Sequence, residues 1–321
     1  MQTLSTPLNV GADVGKDEIA FASAENGFSR RKVPNQRAEL KAFLKQLPAG
    51  SRIGMESTGS YHELLAEMAH KAGFVVFVLN PKDVRHYAKG VGLRGKTDRV
   101  DGDLIARMID REHEKLHPWI PPTPEQHQID QLLKRRAKVR SIQVALNQSL
   151  KGLSGFGSDL KSVNERLDRL VKGIDAKVKA LIEADSDRKQ QYARLRKIAG
   201  LGGAVVRSSV LNTLERVPLR SADAFVAFTG LDPRPDESGH HIGRRRLSKR
   251  GPSELRRLLY LAAMAAAKTK LWKPIYEHYR ANGLSTTAAL VVIARRIART
   301  AWSVYTHKAE FDPKRVTLNL T

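Results

Sequence analysis

An α/β unit followed by a mainly helical remainder is the fold class this sequence predicts, and three observations carry the prediction. Short apolar runs between Leu8 and Leu79, separated by turn residues, alternate with stretches of helical periodicity. A proline-dense segment, His117-Pro118-Trp119-Ile120-Pro121-Pro122-Thr123-Pro124, then ends that pattern. Beyond it, apolar residues recur in steps of three and four almost to the end of the chain.

The elements follow in order. Leu8 to Val14 reads as a buried strand, Glu18 to Ala24 as a second, and Phe28 to Pro34 as a third, with Gly27 turning between the last two. Gln36 to Leu47 carries Leu40, Phe43, Leu44 and Leu47 at helical spacing and is stopped by Pro48-Ala49-Gly50. Arg52 to Ser57 gives a fourth strand, Tyr61 to Ala72 a helix, Phe74 to Leu79 a fifth strand, and a further helix opens at Asp98. Hairpin-connected strands followed by alternating helices and strands predict a mixed sheet covered by helices.

In the middle, Glu125 to Leu150 places Ile129, Leu132, Leu133, Val139, Ile142, Leu146 and Leu150 along one face. After a break at Gly152 to Gly157, a second helix repeats Leu160, Val163, Leu167, Leu170, Ile174, Val178 and Leu181. This is the periodicity of a coiled coil or a long helical hairpin, serving either as an intramolecular cover or as a dimerisation arm. Further on, Lys197 to Ala204 looks like a helix-hairpin-helix turn. Its backbone N–H groups could hold a phosphate, or the glycines could simply make a tight interhelix connection. Ala222 to Phe228, Pro252 to Lys270 and Thr286 to Lys308 read as helices, with Trp272 and Trp302 as packing residues.

Composition narrows the partners. A formal charge of +23 over 321 residues is far beyond what solubility requires and points to polyphosphate. No apolar run approaches the ~20 residues that span a bilayer, so a membrane partner is not expected. The absence of cysteine excludes disulfides and thiolate metal sites, and with no secretion signal it fits a reducing cytoplasm. Arg244 to Arg257 holds seven cations (Arg244, Arg245, Arg246, Lys249, Arg250, Arg256 and Arg257) against one acid, Glu254. Either they form a solvated basic face or they contact phosphates through salt-dependent pairs.

The chemistry is expected from acids. In Gly95-Lys96-Thr97-Asp98-Arg99-Val100-Asp101 two carboxylates stand nearly one helical turn apart and share a face, with Lys96 among the flanking cations. They either decorate a first turn, where acids favour the helix dipole, or belong to a site. Asp13 interrupts the first strand and Glu56 the fourth, and buried carboxylates are costly unless paired or bound to a cation. Four converging carboxylates without His or Cys suit Mg²⁺ or Mn²⁺, and such ions could activate the attacking oxygen and stabilise the leaving oxygen of a phosphodiester. Gly11 to Lys16 could alternatively cradle a phosphate in an actin-like ATPase. Ser238, followed by Gly239, reads on its own as an ordinary turn.

Asp13, Glu56 in MESTGSY, the segment VLNP at residues 78–81 and GLRGKTDRVD with Asp98 and Asp101 together resemble the DEDD insertion-sequence transposases. That group is related to the Piv-type DNA invertases and includes the bridge-RNA-guided recombinases. The resemblance implies a RuvC-like RNase H fold over residues 1–117 that binds metal through Asp13, Glu56, Asp98 and Asp101. It also implies a helical coiled-coil connector over 118–190 and a helical transposase domain over 191–321. A serine nucleophile within an FxGLxPxxxxSG context falls on Ser238, although His240 and His241 follow where smaller polar residues are usual. The implied activity is cleavage and exchange of double-stranded DNA through a covalent phosphoserine, the serine and the acids meeting across two protomers. A structured guide RNA, a homodimer assembling to a tetramer, and a cytoplasmic, nucleoid-associated location in bacteria complete that expectation. A metal-dependent RuvC-like nuclease, a protein-only DNA invertase and a non-catalytic nucleic-acid-binding protein are the rivals.

Overall fold

The sheet is built outward from its first strand, β1 (Asn9–Val14), which has a paired neighbour on each side. The computed structural model describes residues 6–23, 25, 28–57, 59–92, 98–217, 220–234, 237–238, 241–242 and 246–316, with 98–101, 237–238 and 241–242 described by their backbone. The chain forms two compact units, Met1–Pro121 and Pro122–Thr321.

In the first unit β1 is followed by β2 (Glu18–Ser23), β3 (Arg31–Pro34), α1 (Arg37–Leu44), β4 (Arg52–Glu56), α2 (Glu63–Lys71), β5 (Val75–Leu79), α3 (Pro81–Gly90) and α4 (Asp98–Glu112). The sheet order is β3-β2-β1-β4-β5, antiparallel on the β3-β2-β1 side and parallel across β1-β4-β5. The expected turn residue Gly27 lies outside the described residues.

Alternation along the strands gives the sheet two different faces. Val10, Ala12, Ile53, Met55 and Val76 pack with Leu40, Phe43 and Leu65 of α1 and α2 in one apolar core. On the opposite face α4 lies against β1 so closely that a Cβ on Gly11 would come within 2.0 Å of the Gly102 carbonyl oxygen. A Cβ on Gly54 would meet Ile105 and Ile109 of the same helix, each at 2.9 Å. The two glycines remove side chains where the helix crosses, allowing direct contact between helix backbone and strand. Phe77, Leu79, Val84, Leu104, Ile105, Met108 and Ile109 complete the core on this side.

The second unit runs α5 (Pro124–Ser149), α6 (Gly157–Glu183), α7 (Ser186–Arg196), α8 (Ala204–Arg216) and α9 (Ala222–Thr229). Four two-residue strands follow: β6 (Pro233–Arg234), β7 (Glu237–Ser238), β8 (His241–Ile242) and β9 (Arg246–Leu247). Then come α10 (Ser253–Ala266), α11 (Lys273–Ala281) and α12 (Thr286–Thr306). Buried alanines at 289, 294, 298 and 301 line α12, which packs against α9 and α10, and Trp272 is fully buried in the same core. Trp302 packs at its margin.

α5 and α6 form an antiparallel hairpin joined by polar contacts. Arg136 donates to Asp175 at 2.6 Å, Arg140 pairs with Asp168, and Asn147 and Asn164 exchange amide hydrogen bonds of 3.2 and 2.9 Å. Only the root is in the core, through Ile129, Val178 and Ile182, while Ile142, Val163 and Leu170 of the expected apolar seam are exposed. The seam therefore does not close as a continuous apolar stripe along the hairpin.

Three helices were not anticipated from periodicity. α3 starts at Asn80-Pro81, where the Asn80 side chain accepts from the Lys82 N–H, and buries only Val84. α7 buries Gln191 and Leu195, and α11 only Ile275. Such sparsely anchored helices carry no apolar stripe to read. The neighbourhood of Ser238, read as an ordinary turn, contains short strands among its described residues, with β6 pairing β9 and β7 pairing β8.

The crossing of α4 over β1 sets a sharp contrast between two glycines. Gly11→Ala should destabilise the first unit by about 1–3 kcal/mol or more, because backbone must move to admit the methyl group. Gly102→Ala should be neutral or stabilising, since its Cβ would first meet Ala22 Cβ at an ordinary 3.4 Å and alanine favours the helix. Thermal unfolding of the two variants measures the difference.

Candidate metal centre

Asp13 is the penultimate residue of β1 and Glu56 the last residue of β4. These strands are parallel neighbours with Gly11 opposite Gly54 and Ala12 opposite Met55. Carried one residue further, that register puts Asp13 beside Glu56 at the same end of the sheet. Both follow a glycine by two positions, so both lie on the face that α4 covers. Each is partly exposed, as a residue at a strand end should be.

The direction of α4 is fixed by contacts along its length. Near its C-terminal end the Asp110 carboxylate accepts from Asn9 Nδ2 at 3.1 Å, beside the start of β1. Asn9 is itself buried and donates from both its backbone and its side chain to Glu25, each at 3.0 Å. Gly102 and Ala106 lie over Gly11, further along the strand. The helix thus runs antiparallel to β1, with its N-terminal turn toward the Asp13 end. Two strand steps from Gly11 to Asp13 cover about 6.6 Å, and four helix steps from Gly102 back to Asp98 about 6 Å. Asp98 and Asp101 occupy that first turn.

The two described acid side chains here, Asp13 and Glu56, offer carboxylate oxygens, which suit a hard divalent cation and not one that prefers sulfur or imidazole. Among the described side chains, no three acids or histidines form a metal-binding group. Asp13 and Glu56 supply a neighbouring pair, and their setting beneath the helix start fits a cation shared with acids from α4.

The nucleic-acid candidates fall into three groups. Lys96, Arg244 and Arg245 lie outside the described residues, as does His240. Arg246, Lys249 and Arg250 are exposed. Arg256 donates to the carbonyl oxygens of Thr229 and Gly251 at 3.3 and 3.2 Å, and Arg257 forms a two-pronged pair with Glu254 at 2.7 Å. Arg256 therefore braces the junction between α9 and α10, and Arg257 shares its charge with an acid one turn away. Sequence inspection did not separate these roles.

Ser238 is the second residue of β7, opposite His241 of β8. The wider segment is pinned at its ends. Gly230 adopts a left-handed φ of +70°, and a Cβ on Gly251 would lie 1.7 Å from the Phe228 carbonyl oxygen. Ser248 donates from its backbone to Asp232 at 2.9 Å, and its hydroxyl donates to the Asp232 carboxylate. The segment from Leu231 to Arg250 thus leaves and rejoins the helical body at one place.

An acid-bearing strand pair under a helix start and a second, cation-rich helical unit suit an enzyme that acts on nucleic acid, and the comparisons give the class, that of DNA transposases and recombinases. A family model for DEDD transposases of the IS110 type, described as "Transposase", matches residues 10–155 and includes all four acids. A second, described as "Transposase IS116/IS110/IS902 family", matches residues 192–280 and includes Ser238. The chain belongs to this transposase family. It is 24% identical over 270 residues to a pilin gene-inverting protein of Moraxella bovis, covering 81% of each chain. It is 27% identical over 341 residues to the transposase for insertion sequence element IS1328 of Yersinia enterocolitica, covering 94% of this chain and 98% of that one. A probable family 20 transposase of Pseudomonas aeruginosa is 22% identical over 346 residues, with 95% and 98% covered. Membership in a DEDD family carries dependence on a divalent metal and action on DNA. No helix among the described residues is long and apolar enough to cross a membrane.

The pairing of Asp13 with Glu56 gives a direct test. Asp13→Asn and Glu56→Gln keep the shape but remove charge, so each should weaken Mn²⁺ binding by tenfold or more while leaving the melting temperature unchanged or raised. Calorimetric titration with Mn²⁺ and thermal unfolding of the same samples measure both quantities.

Proposed function

We propose that the protein is a recombinase in which Ser238 attacks a DNA phosphodiester while Asp13, Glu56, Asp98 and Asp101 hold divalent metal, Mg²⁺ or Mn²⁺. The observation that carries the reading is the strand register setting Asp13 beside Glu56 on the face beneath the first turn of α4. The sheet order β3-β2-β1-β4-β5, antiparallel then parallel, supports an RNase H/RuvC-like assignment for the metal domain. In this reading residues 1–117 hold metal, 118–190 form a connecting arm of coiled-coil type, and 191–321 carry the nucleophile.

In the first step Ser238 Oγ gives up its proton and bonds to phosphorus, and the bond from phosphorus to one bridging sugar oxygen breaks. That oxygen leaves as a hydroxyl after taking a proton, and the strand is held as a phosphoserine ester. In the second step a hydroxyl from the exchanged strand attacks the ester, releasing Ser238 with its proton. One phosphodiester is exchanged for another, so no nucleotide triphosphate is consumed. Bound metal would neutralise the phosphate and lower the cost of charge on the attacking and leaving oxygens. The acids position that charge, and the exposed Arg246, Lys249 and Arg250 draw the strand toward the segment bearing Ser238. The substrate in this reading is double-stranded DNA, engaged by a homodimer that assembles to a tetramer. A structured guide RNA selects the sequences; it would be detected by sequencing RNA that co-purifies from the native host.

The rival nuclease reading uses metal-activated water alone. Ser238→Ala separates the two: incubated with its DNA and Mg²⁺, the variant should yield no protein-linked DNA and no exchanged strands on a denaturing gel. Continued cleavage by Ser238→Ala would leave the nuclease reading standing. Asp13→Asn should abolish both products, and unchanged processing by that variant would remove the acids from the mechanism.

A further inference from the structure

Helix α3 is held on one side and left to water on the other. Val84 is buried, and Tyr87, Ala88 and Val91 pack into the core that Leu104, Ile105 and Met108 of α4 also form. The outer side carries Lys82, Arg85, His86 and Lys89, all exposed and at the three- and four-residue spacings that share a helix face. Asp83, the one acid in the helix, falls to the side of that stripe.

Several exposed cations elsewhere in the first unit stand beside a carboxylate, as Arg30 does with Asp103, Lys32 with Glu18 and Lys115 with Glu112. Among the described residues no acid forms an ion pair with Arg85 or Lys89. Like charges one turn apart repel, and Lys82 sits in the first turn, where the helix dipole disfavours a cation. The stripe therefore works against the helix that carries it, and an anionic partner would remove that cost.

The place of α3 in the fold says which anion it meets. β5 is the parallel neighbour of β4, with Leu79 opposite Glu56, and α3 opens two residues later at Pro81. Asn80 fixes that start by accepting from the Lys82 N–H at 2.9 Å. The helix thus leaves the sheet from the end where Glu56 stands and packs with α4, which covers the face of Asp13 and Glu56. From Lys82 to Lys89 the stripe rises about 10.5 Å. One strand of B-DNA advances about 3.4 Å per phosphate, so that length matches about three nucleotides. We propose that the outer face of α3, through Arg85 and Lys89 with Lys82 and His86 beside them, binds the phosphates of the duplex DNA substrate on the side of the unit where Asp13 and Glu56 stand. The inference rests on the reading of those acids as the metal centre for what lies at the end of the track, not for the track itself.

The test uses the full-length chain and a fluorescent duplex oligonucleotide, titrated without divalent metal across a series of salt concentrations. Loss of two phosphate contacts in the double variant Arg85→Gln with Lys89→Gln should make the slope of log affinity against log salt shallower by about 1.8. Exchanging the two cations, Arg85→Lys with Lys89→Arg, should keep the slope. The control removes the same charge from Lys41 and Lys45, exposed on and just after α1, which packs on the opposite face of the sheet. Lys41→Gln with Lys45→Gln should bind with the wild-type slope. A wild-type slope in the α3 variant would overturn the assignment, and so would an equal loss in the α1 variant, since net charge alone would then be at work. An effect confined to an RNA hairpin would give the face to RNA and overturn it too. The α3 variant should melt no lower than the wild type, and a clear drop would mark its cations as packing residues instead. With no divalent metal present, the slopes do not depend on whether the acids hold an ion, and that reading stands or falls with the Mn²⁺ titration.

Discussion

The contact between Gly11 of β1 and Gly102 of α4 is the constraint on which the first unit turns. A helix normally stands off a sheet by the thickness of two side chains, about 10 Å between layers. Here Gly11 carries none, and the Gly102 carbonyl oxygen occupies the space a Cβ on Gly11 would need. The close approach fixes the height of α4 above the strand, and the Asp110–Asn9 hydrogen bond fixes its direction. Together they determine where the first turn of the helix must lie. The end of β1 that carries Asp13 and the first turn of α4 are therefore set on the same side of the sheet by backbone packing.

The second unit solves a related problem by the same means. A polar, glycine-containing segment cannot be held by an apolar core of its own, so its ends are clamped. Gly251 passes against the Phe228 carbonyl, Gly230 takes the left-handed conformation that a side chain would resist, and Arg256 ties both neighbourhoods through two carbonyl oxygens. Any larger residue at Gly251 would have to displace backbone on α9. The clamp lets the intervening stretch be chosen for chemistry instead of packing, which suits a segment bearing Ser238 and several cations.

What could be read in the chain, and what could not, follows from these same forces. Most of the strands were legible as short apolar runs with turn residues at their ends, while the polar β3 (Arg31–Pro34) was marked only by the turn before it and the proline that ends it. Asp13 and Glu56 stood out because each breaks an apolar run. A mixed sheet was expected from hairpin-connected strands followed by alternating helices and strands, but the strand order came only from the structure. The helices α3, α7 and α11 were missed because each buries only one or two residues, so no stripe of spacing marks them. The apolar positions of α5 and α6 promised a closed seam, but the contacts between the helices are largely polar and much of the apolar surface stays exposed. Spacing records which residues share a face, not whether a partner covers it. The glycine crossing was equally hidden: Gly11 and Gly102 are distant in sequence, and nothing in either neighbourhood says that they touch.

The cations illustrate why net charge is a poor guide to a binding surface. Seven basic residues between Arg244 and Arg257 read as one patch, yet Arg256 is consumed by backbone carbonyls and Arg257 by Glu254. Exposed pairs of the second kind add little to stability and can exchange their partner for a phosphate at small cost, so Arg257 is weakened as a ligand but not excluded. Arg256 is different, because releasing its two carbonyls would loosen the clamp on the segment it supports. The useful question for each cation is therefore what it would have to give up, and only the packing around it supplies the answer.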